Sequence, residues 1–369
     1  MKFLPYGRQE IDASDIAAVV AILQSDWLTT GPHVELFESA ICAFTGAKNA
    51  IAVCNGTAAL HAAMYALEIG PGDDVIVPPI TFTATANSVL YQGGTPVFVD
   101  VDAQTLLINP KAVEAAITPR TKAIVGVDYA GQPCDWAALR AIAGKHGLAL
   151  VADSCHALGA EDNGRKAGTF ADISAFSFHP VKHITTGEGG LCTTDDERLA
   201  TRMRHFRNHG ITTTASQREK SGGWFYEMTD LGYNYRITDF QCALGTSQLK
   251  KLPQWLEKRN ELARHYDEAF AQSDVRPLIK REGVRHAYHL YVVRVAERDK
   301  RFTLLREQGI GANVHYIPVH MHPYYKERFG YKPGMLPVAE SAYTEILTLP
   351  LWPGMNSDDV KNVVLAVTR

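Results

Sequence analysis

The sequence predicts an α/β fold with a central, mostly parallel sheet, followed by a smaller C-terminal α+β domain. Two observations carry this. Between residues 49 and 153, short apolar runs (AIAVC, DVIVP, PVFVD, KAIVGVD, LALVAD) alternate with helix-like stretches at 57–67, 82–91, 110–117 and 136–146. Strands alternating with helices form parallel sheets covered on both faces. Past residue 250 the alternation gives way to one long helical pattern and two isolated strand-like runs. A chain of 369 residues also exceeds one ordinary core, so two domains are expected, 1–250 and 251–369.

Taken in order, Asp12 reads as an N-cap, with Ile16, Val19, Val20 and Leu23 following on one helical face. Gly31-Pro32 breaks the pattern, and a second helix carries Val34, Phe37, Ile41 and Phe44. After the α/β alternation, the run 173–178 alternates apolar residues with Ser174 and Ser177 and reads as a strand. The exit at 185–190 holds three glycines and no helical pattern, which predicts backbone that turns tightly or is closely approached. Pro253 is expected to begin a long helix, 254–270, with Trp255, Leu262, Tyr266 and Phe270 on its apolar side. The runs AYHLYVVRV and ANVHYIPV are read as strands of the second domain.

Composition narrows the function classes. A net charge of −3 supports neither a nucleic-acid nor a membrane-surface role. The basic run 198–207 is interrupted by Leu199, Met203 and Phe206 at helical spacing and reads as a solvated helix face. None of the six cysteines has CxxC spacing, which favours reduced, buried thiols. The first fifteen residues lack a signal-peptide core and no apolar run reaches membrane-spanning length, so a cytoplasmic protein is expected. His315, His320 and His322 have no carboxylate or thiol at ligand spacing, so no metal site is expected.

In such sheets, ligands bind at the carboxyl ends of the strands. Four segments fall there. Gly56, Thr57 and Ala58 follow the first strand and would open a helix, either as a phosphate-binding N-terminus or as a plain cap. Phe82 follows the second, and suits either a planar ligand or the core. Asp153 closes a buried strand, where an acid needs a partner: a ring nitrogen, an arginine or an N-cap. His156 lies three residues on. Lys182 stands between the strand bearing Ser177 and the glycine-rich turn. A lone lysine is most often a solvated charge, whereas one in a desolvated pocket loses its proton more readily and can form a Schiff base. Read together, the set offers a phosphate cup (Thr57, Ala58, Ser177), an aromatic lid (Phe82), a carboxylate (Asp153), a neighbour for a ring oxygen (His156) and an amine (Lys182). Pyridoxal 5′-phosphate satisfies all of these.

The segments NGTAAL, TFTATAN, DSCHALGA, FSFHPVKHITTGEGG and LGYNYRITDFQCALGTSQLKKL span nearly the whole chain. Together they resemble the DegT/StrS sugar-nucleotide aminotransferases, which are fold-type-I pyridoxal phosphate enzymes. The resemblance implies Lys182 as the catalytic Schiff-base lysine and Asp153 at the pyridine nitrogen. It implies Phe82 on the ring, His156 beside its hydroxyl, and Thr57, Ala58 and Ser177 at the phosphate. It further implies a homodimer with shared sites, in which Asn234 reaches the partner's phosphate. TKAIVGVDYAG, SFHPVKHITT, NVHYIPV and DWLT resemble the members of that family that serve pseudaminic acid synthesis. Those imply that L-glutamate donates its amino group to C4 of a UDP-linked 4-keto-6-deoxy-N-acetyl amino sugar. By the same resemblance, Tyr6, Asp26, Trp27, Leu28, Thr29, Gly56, Ser177, His315, Tyr316, Ile317 and Pro318 would contact the sugar nucleotide. The match departs at Asn55-Gly56 and around 321–325. A dehydratase on the same scaffold would carry histidine in place of the lysine; here Lys182 stands with His183 beside it. A non-catalytic regulator on this fold is the other rival, and the retained lysine argues against it.

Overall fold

The computed structural model describes residues 3–213, 218 and 222–368. Its chain first lays down β1 (Asn49–Val53), β2 (Asp74–Val77), β3 (Thr95–Phe98), β4 (Thr121–Val127) and β5 (Ala149–Asp153). A short hairpin follows, β6 (Glu161–Asp162) and β7 (Arg165–Lys166), then β8 (Ile173–Ser177) and β9 (Gly190–Thr194). β1 to β5 with β8 and β9 make one seven-stranded sheet, in the order β1-β9-β8-β5-β4-β2-β3. β8, β5, β4, β2 and β3 run parallel, and β9 runs antiparallel to both its neighbours. β1, β2, β4, β5 and β8 are buried along most of their length, as expected of strands covered on both faces.

Three predicted helices settle within two residues of their expected bounds, at Gly56–Ala66, Ala84–Tyr91 and Pro110–Ala116, and a fourth, Trp136–His146, matches. The helix Glu197–Phe206 buries Leu199, Met203 and Phe206 and leaves its basic side outward. The six cysteines are free thiols, with Cys134, Cys192 and Cys242 buried.

In the C-terminal part, β10 (Arg276–Pro277), β12 (Tyr291–Arg294) and β13 (Ile346–Leu349) form a small antiparallel sheet, while β11 (Val284–Arg285) joins β6 and β7. Leu262, Tyr266, Phe270, Val293, Leu347 and Val363 belong to a second apolar cluster, apart from the core around the large sheet. No described helix is long and apolar enough to cross a membrane.

Two expectations are corrected, and two features go beyond the sequence reading. The long helix does not begin after Pro253; it runs unbroken over Asp239–Phe270 with that proline inside. Proline costs an interior helix about 3 kcal/mol. Buried Leu249, Leu252 and Leu256 on either side hold the helix against the core, so packing offsets that cost. Residues 312–319 are not a strand: Asn313 alone makes a bridge, to Thr348, and a 3₁₀ turn starts at Val319. The glycine-rich exit after Lys182 leads directly into a full strand, β9, that was not anticipated. In the first helix, Ala13–Leu23, it is Asp15 and Ile22 that are buried, while Ile16, Val20 and Leu23 are exposed. Asp15 can be buried because Lys251 Nζ, Ser247 Oγ and Gln248 Nε2 all reach its carboxylate within 2.6–2.7 Å.

Candidate active site

The site starts where β1, β5 and β8 end. Asn55 caps the helix Gly56–Ala66, its side chain accepting from the Ala58 amide at 2.8 Å. The amides of Gly56 and Thr57 lie in that first turn, where no helical acceptor exists. A Cβ on Gly56 would stand 2.9 Å from Ser177 Cβ and 3.4 Å from Cys155 Sγ, so only glycine lets the helix start come this close to β8. Gly190 does the same from the other side: a Cβ there would stand 2.2 Å from the Asn55 carbonyl. The predicted cup of Thr57, Ala58 and Ser177 is therefore brought together, with the Ala58 amide already engaged by Asn55.

Asp153 is 5% exposed. Its Oδ2 accepts from Thr85 Oγ1 at 2.7 Å and its Oδ1 from the Cys155 amide at 3.2 Å. Thr85 Oγ1 is itself 2.7 Å from Thr81 Oγ1. Among the described residues no arginine, lysine or histidine pairs with this carboxylate, so neither the arginine nor a helix cap accounts for it. A buried carboxylate with two hydrogen-bond donors and no direct ion pair is a fitting partner for a cation.

Lys182 Nζ lies 3.4 Å from His289 Nε2, and the His289 ring centroid lies 4.4 Å from that of His156. His156 Nε2 is 3.0 Å from the Tyr316 hydroxyl, with the two rings stacked. Amine, imidazoles and phenol thus form a chain that returns to within three residues of Asp153. Burial lowers the Lys182 pKa below the ordinary lysine value, against the opposing pull of Cys155 and Asp153. Burial likewise pushes His156, His183 and His289 well below the ordinary histidine value, so these rings are neutral at pH 7. Nδ1 of His156 and Nδ1 of His289 are buried with no partner.

The C-terminal segment supplies one wall. Tyr6 packs on His315 with ring centroids 5.2 Å apart, and the Leu351 amide donates to the Tyr6 carbonyl at 3.0 Å. His315 is buried, with Nδ1 2.9 Å from Thr348 Oγ1, and its carbonyl accepts from Tyr129 Oη. The His315–Tyr316 peptide is cis. Pro318 is buried, whereas Ile317 and Phe82 are exposed; Phe82 lies 6.2 Å from the Tyr316 ring.

Other predicted residues lie away from this cluster. Asp26, Trp27, Leu28 and Thr29 are exposed, stitched to the start of the long helix by a Thr29–Thr238 bridge and the Asp239 amide donating to the Leu28 carbonyl at 3.0 Å. Asn234 is exposed and bridges Asn208. His320 lies 3.1 Å from Glu340, a carboxylate twenty positions on that the sequence reading of the histidines passed over. His289, Thr85 and Tyr129 were also missed. The run AYHLYVVRV had been read only as a strand, and nothing in its local pattern separates His289 from a packing residue.

The residues present fit pyridoxal phosphate. The unpaired buried carboxylate of Asp153 suits a protonated ring nitrogen, and the open amides beside Ser177 suit a phosphate. His156 Nδ1 lacks a partner, and Lys182 is an amine of lowered basicity.

Comparison with known proteins agrees. Residues 9–368 match the DegT/DnrJ/EryC1/StrS aminotransferase family. The chain is 46% identical to the spore coat polysaccharide biosynthesis protein SpsC of Bacillus subtilis, over 99% of this chain and 96% of that protein. It superposes on a sugar aminotransferase, Spr1654 of Streptococcus pneumoniae, solved in PLP and PMP forms, with a TM-score of 0.94 and 33% identity, over 99% of this chain and 98% of that one. On PseC of Helicobacter pylori, an aminotransferase involved in the biosynthesis of pseudoaminic acid, the TM-score is 0.92 and the identity 36%, with the same coverage. The chain belongs to the DegT/DnrJ/EryC1/StrS family and is a pyridoxal-phosphate-dependent sugar aminotransferase of fold type I.

Proposed function

We propose that this enzyme moves the amino group of L-glutamate to C4 of a UDP-linked 4-keto-6-deoxy-N-acetyl amino sugar, a step of pseudaminic acid synthesis. The observation that supports this reading is the convergence of Lys182, Asp153 and His156 beside a wall of Tyr6, His315 and Tyr316, which the resemblance assigns to the sugar nucleotide. The likeness to PseC supports the sugar. A second reading is favoured by the higher identity to SpsC: another nucleotide-linked 4-keto sugar, destined for a coat polysaccharide.

When bound, the cofactor supplies an electron sink for the carbon attached to the migrating nitrogen. Thr57, Ala58 and Ser177 would hold its phosphate, Asp153 would neutralise its ring nitrogen, His156 would adjoin its ring oxygen and Phe82 would cover it. Lys182 would anchor it, and its Nζ would hold and move the proton at the reacting carbon, for which an amine of lowered pKa is suited. Tyr6, Gly56, the exposed run Asp26, Trp27, Leu28 and Thr29, and the stretch His315, Tyr316, Ile317 and Pro318 hold the sugar nucleotide.

A homodimer with shared sites belongs to the same reading. Trp224, Phe225, Tyr226, Met228 and Leu231 are 52–83% exposed just before Asn234, an apolar surface that a partner subunit would cover. We divide the chain into domains 1–250 and 251–369, with the helix Asp239–Phe270 running across the boundary. A cytoplasmic setting suits six free thiols, one of them Cys155 beside the site.

The test is direct. Glutamate added to the purified holoenzyme is expected to shift the cofactor absorption band, and K182A is expected to abolish the shift. UDP-, GDP- and dTDP-linked 4-keto sugars, screened by mass spectrometry, then name the acceptor. No band shift, with K182A indistinguishable from wild type, ends the proposal; amination of a non-UDP sugar alone favours the second reading.

A further inference from the structure

His289 sits on a run of backbone fixed from several directions. The Ala287 amide donates to the Gly131 carbonyl at 2.9 Å and the Leu290 amide to the Ala130 carbonyl at 3.1 Å. His183 Nε2 donates to the Ala287 carbonyl at 3.1 Å, and the buried Arg259 guanidinium donates to the Tyr288 carbonyl at 2.9 Å. Tyr288 is held at φ 45°, a left-handed conformation that a bulky side chain rarely adopts. Gly131 makes room for it: a Cβ there would stand 2.8 Å from the Tyr288 nitrogen and 3.0 Å from that of His289. Strained backbone of this kind persists only where its surroundings over-determine it.

What the strained run sets in place is an imidazole, 5% exposed, with Nε2 3.4 Å from Lys182 Nζ. Its Nδ1 has no partner. The contact of Nε2 with Lys182 is the one described side-chain hydrogen bond of the ring.

We propose that His289 is a positioning residue for Lys182, its neutral Nε2 accepting a hydrogen bond from the amine and holding it against the pocket wall whenever that nitrogen carries no covalent link to the cofactor. No proton changes owner in this contact. The inference rests on the reading of Lys182 as the catalytic amine. Burial and the neighbouring charges of Lys182 and Arg259 keep the ring neutral. The titratable groups facing the pair are Asp153, Cys155, His156, His183, Arg259 and His315. A neutral acceptor favours the charged amine, so its loss lowers the Lys182 pKa.

The test titrates Lys182 in the apoenzyme through its rate of trinitrophenylation against pH, read on the peptide by mass spectrometry. H289F is expected to lower the midpoint by about one unit, and H289Q, which keeps an acceptor oxygen, to hold it within about 0.3 unit. In the holoenzyme H289F is expected to slow the glutamate half-reaction about tenfold at saturation with KM little changed, and H289Q to restore most of the rate. An unmoved midpoint in H289F overturns the inference, as does an equal shift in both variants, which would mean packing alone. If H289F does not fold, H289A replaces it: added imidazole must return the midpoint towards wild type, and failure to do so overturns the inference. Borohydride reduction of the wild-type holoenzyme is the control. Without a cofactor link at Lys182 the catalytic assignment falls and this inference with it; with that link and no shift, this inference alone falls.

Discussion

The crevice at the strand ends and the segments that run past it are made on opposite terms. Asp153, His156, His183 and His289 are each 3–5% exposed, and each meets its neighbours inside one chain. Trp224, Phe225, Met228 and Leu231 are each at least 62% exposed, and Ile16, Val20 and Leu23 form a second apolar stripe without cover. Desolvation is what shifts the titration of Lys182 and the histidines, and that desolvation is already present within one chain. Trp27 and Leu28, expected at the sugar nucleotide, and Asn234, expected at the partner's cofactor phosphate, lie instead on open surface. On the proposed homodimer, the first region is a property of the protomer and the second a property of the pair.

Breaking the buried region should therefore cost most. K182A is expected to reduce transfer by about 10²–10⁴-fold, measured as the single-turnover rate with glutamate. The fold should survive, because the amine's one described hydrogen-bond contact is with His289. D153N is expected to lower the same rate by about 10²-fold, since it removes the charge that faces the developing electron sink. T85V is the milder version. It deletes one hydroxyl donor to Asp153 and should cost about 1 kcal/mol, roughly fivefold in rate. A D153N enzyme as fast as wild type would mean that the carboxylate is structural.

The exposed region should break differently, by mixing. K182A and N234A dimers are each expected to be nearly inactive. When they exchange subunits, each mixed dimer keeps one site with both residues intact, so about a quarter of wild-type activity should return. No recovery on mixing would place Asn234 in its own subunit's site or in none. Replacing Trp224 and Phe225 together by serine should shift the sedimenting species towards monomer and weaken cofactor binding, because Asn234 then no longer reaches the partner's phosphate.

The legible part of this protein was the part governed by local pattern. Strand ends announce themselves through apolar runs followed by Asn55, Asp153 or Ser177, and the helix Trp136–His146 is bounded by Asp135 and Gly147 in its caps. Pro253 misled because proline is a strong local signal, and the packing of Leu249, Leu252 and Leu256 that overrides it is not local. His289 was hidden for the same reason. Its place beside Lys182 depends on contacts with Gly131 and Arg259, and its neighbour His156 meets Tyr316 across 160 positions of sequence. The stripe Ile16, Val20 and Leu23 reads from its spacing as one apolar face, and the structure leaves that face exposed. Periodicity tells which residues share a face, and not whether that face meets the same chain.

His61 joins the two regions and gives the smallest effect. It is 2% exposed, with Nδ1 3.0 Å from Tyr235 Oη, and its ring lies 5.2 Å from Tyr233, so it buttresses the residues on either side of Asn234. Burial pushes its pKa from 6.5 down to about 4. The folded chain therefore favours the neutral ring while the unfolded chain takes up a proton below 6.5. The stability this contributes is present above that value and is lost as the pH falls from 6.5 towards 4. H61Q, which cannot titrate, is expected to reduce by about one the number of protons taken up on unfolding in that window, read from denaturation midpoints against pH. In wild type, protonation should loosen the 233–235 run before the crevice opens. Cofactor affinity, which the reading ties to Asn234, should then fall with acid through this window, and H61Q should flatten that fall. If the variant keeps the wild-type slope, His61 does not carry that proton, and the link between crevice and surface runs through other residues.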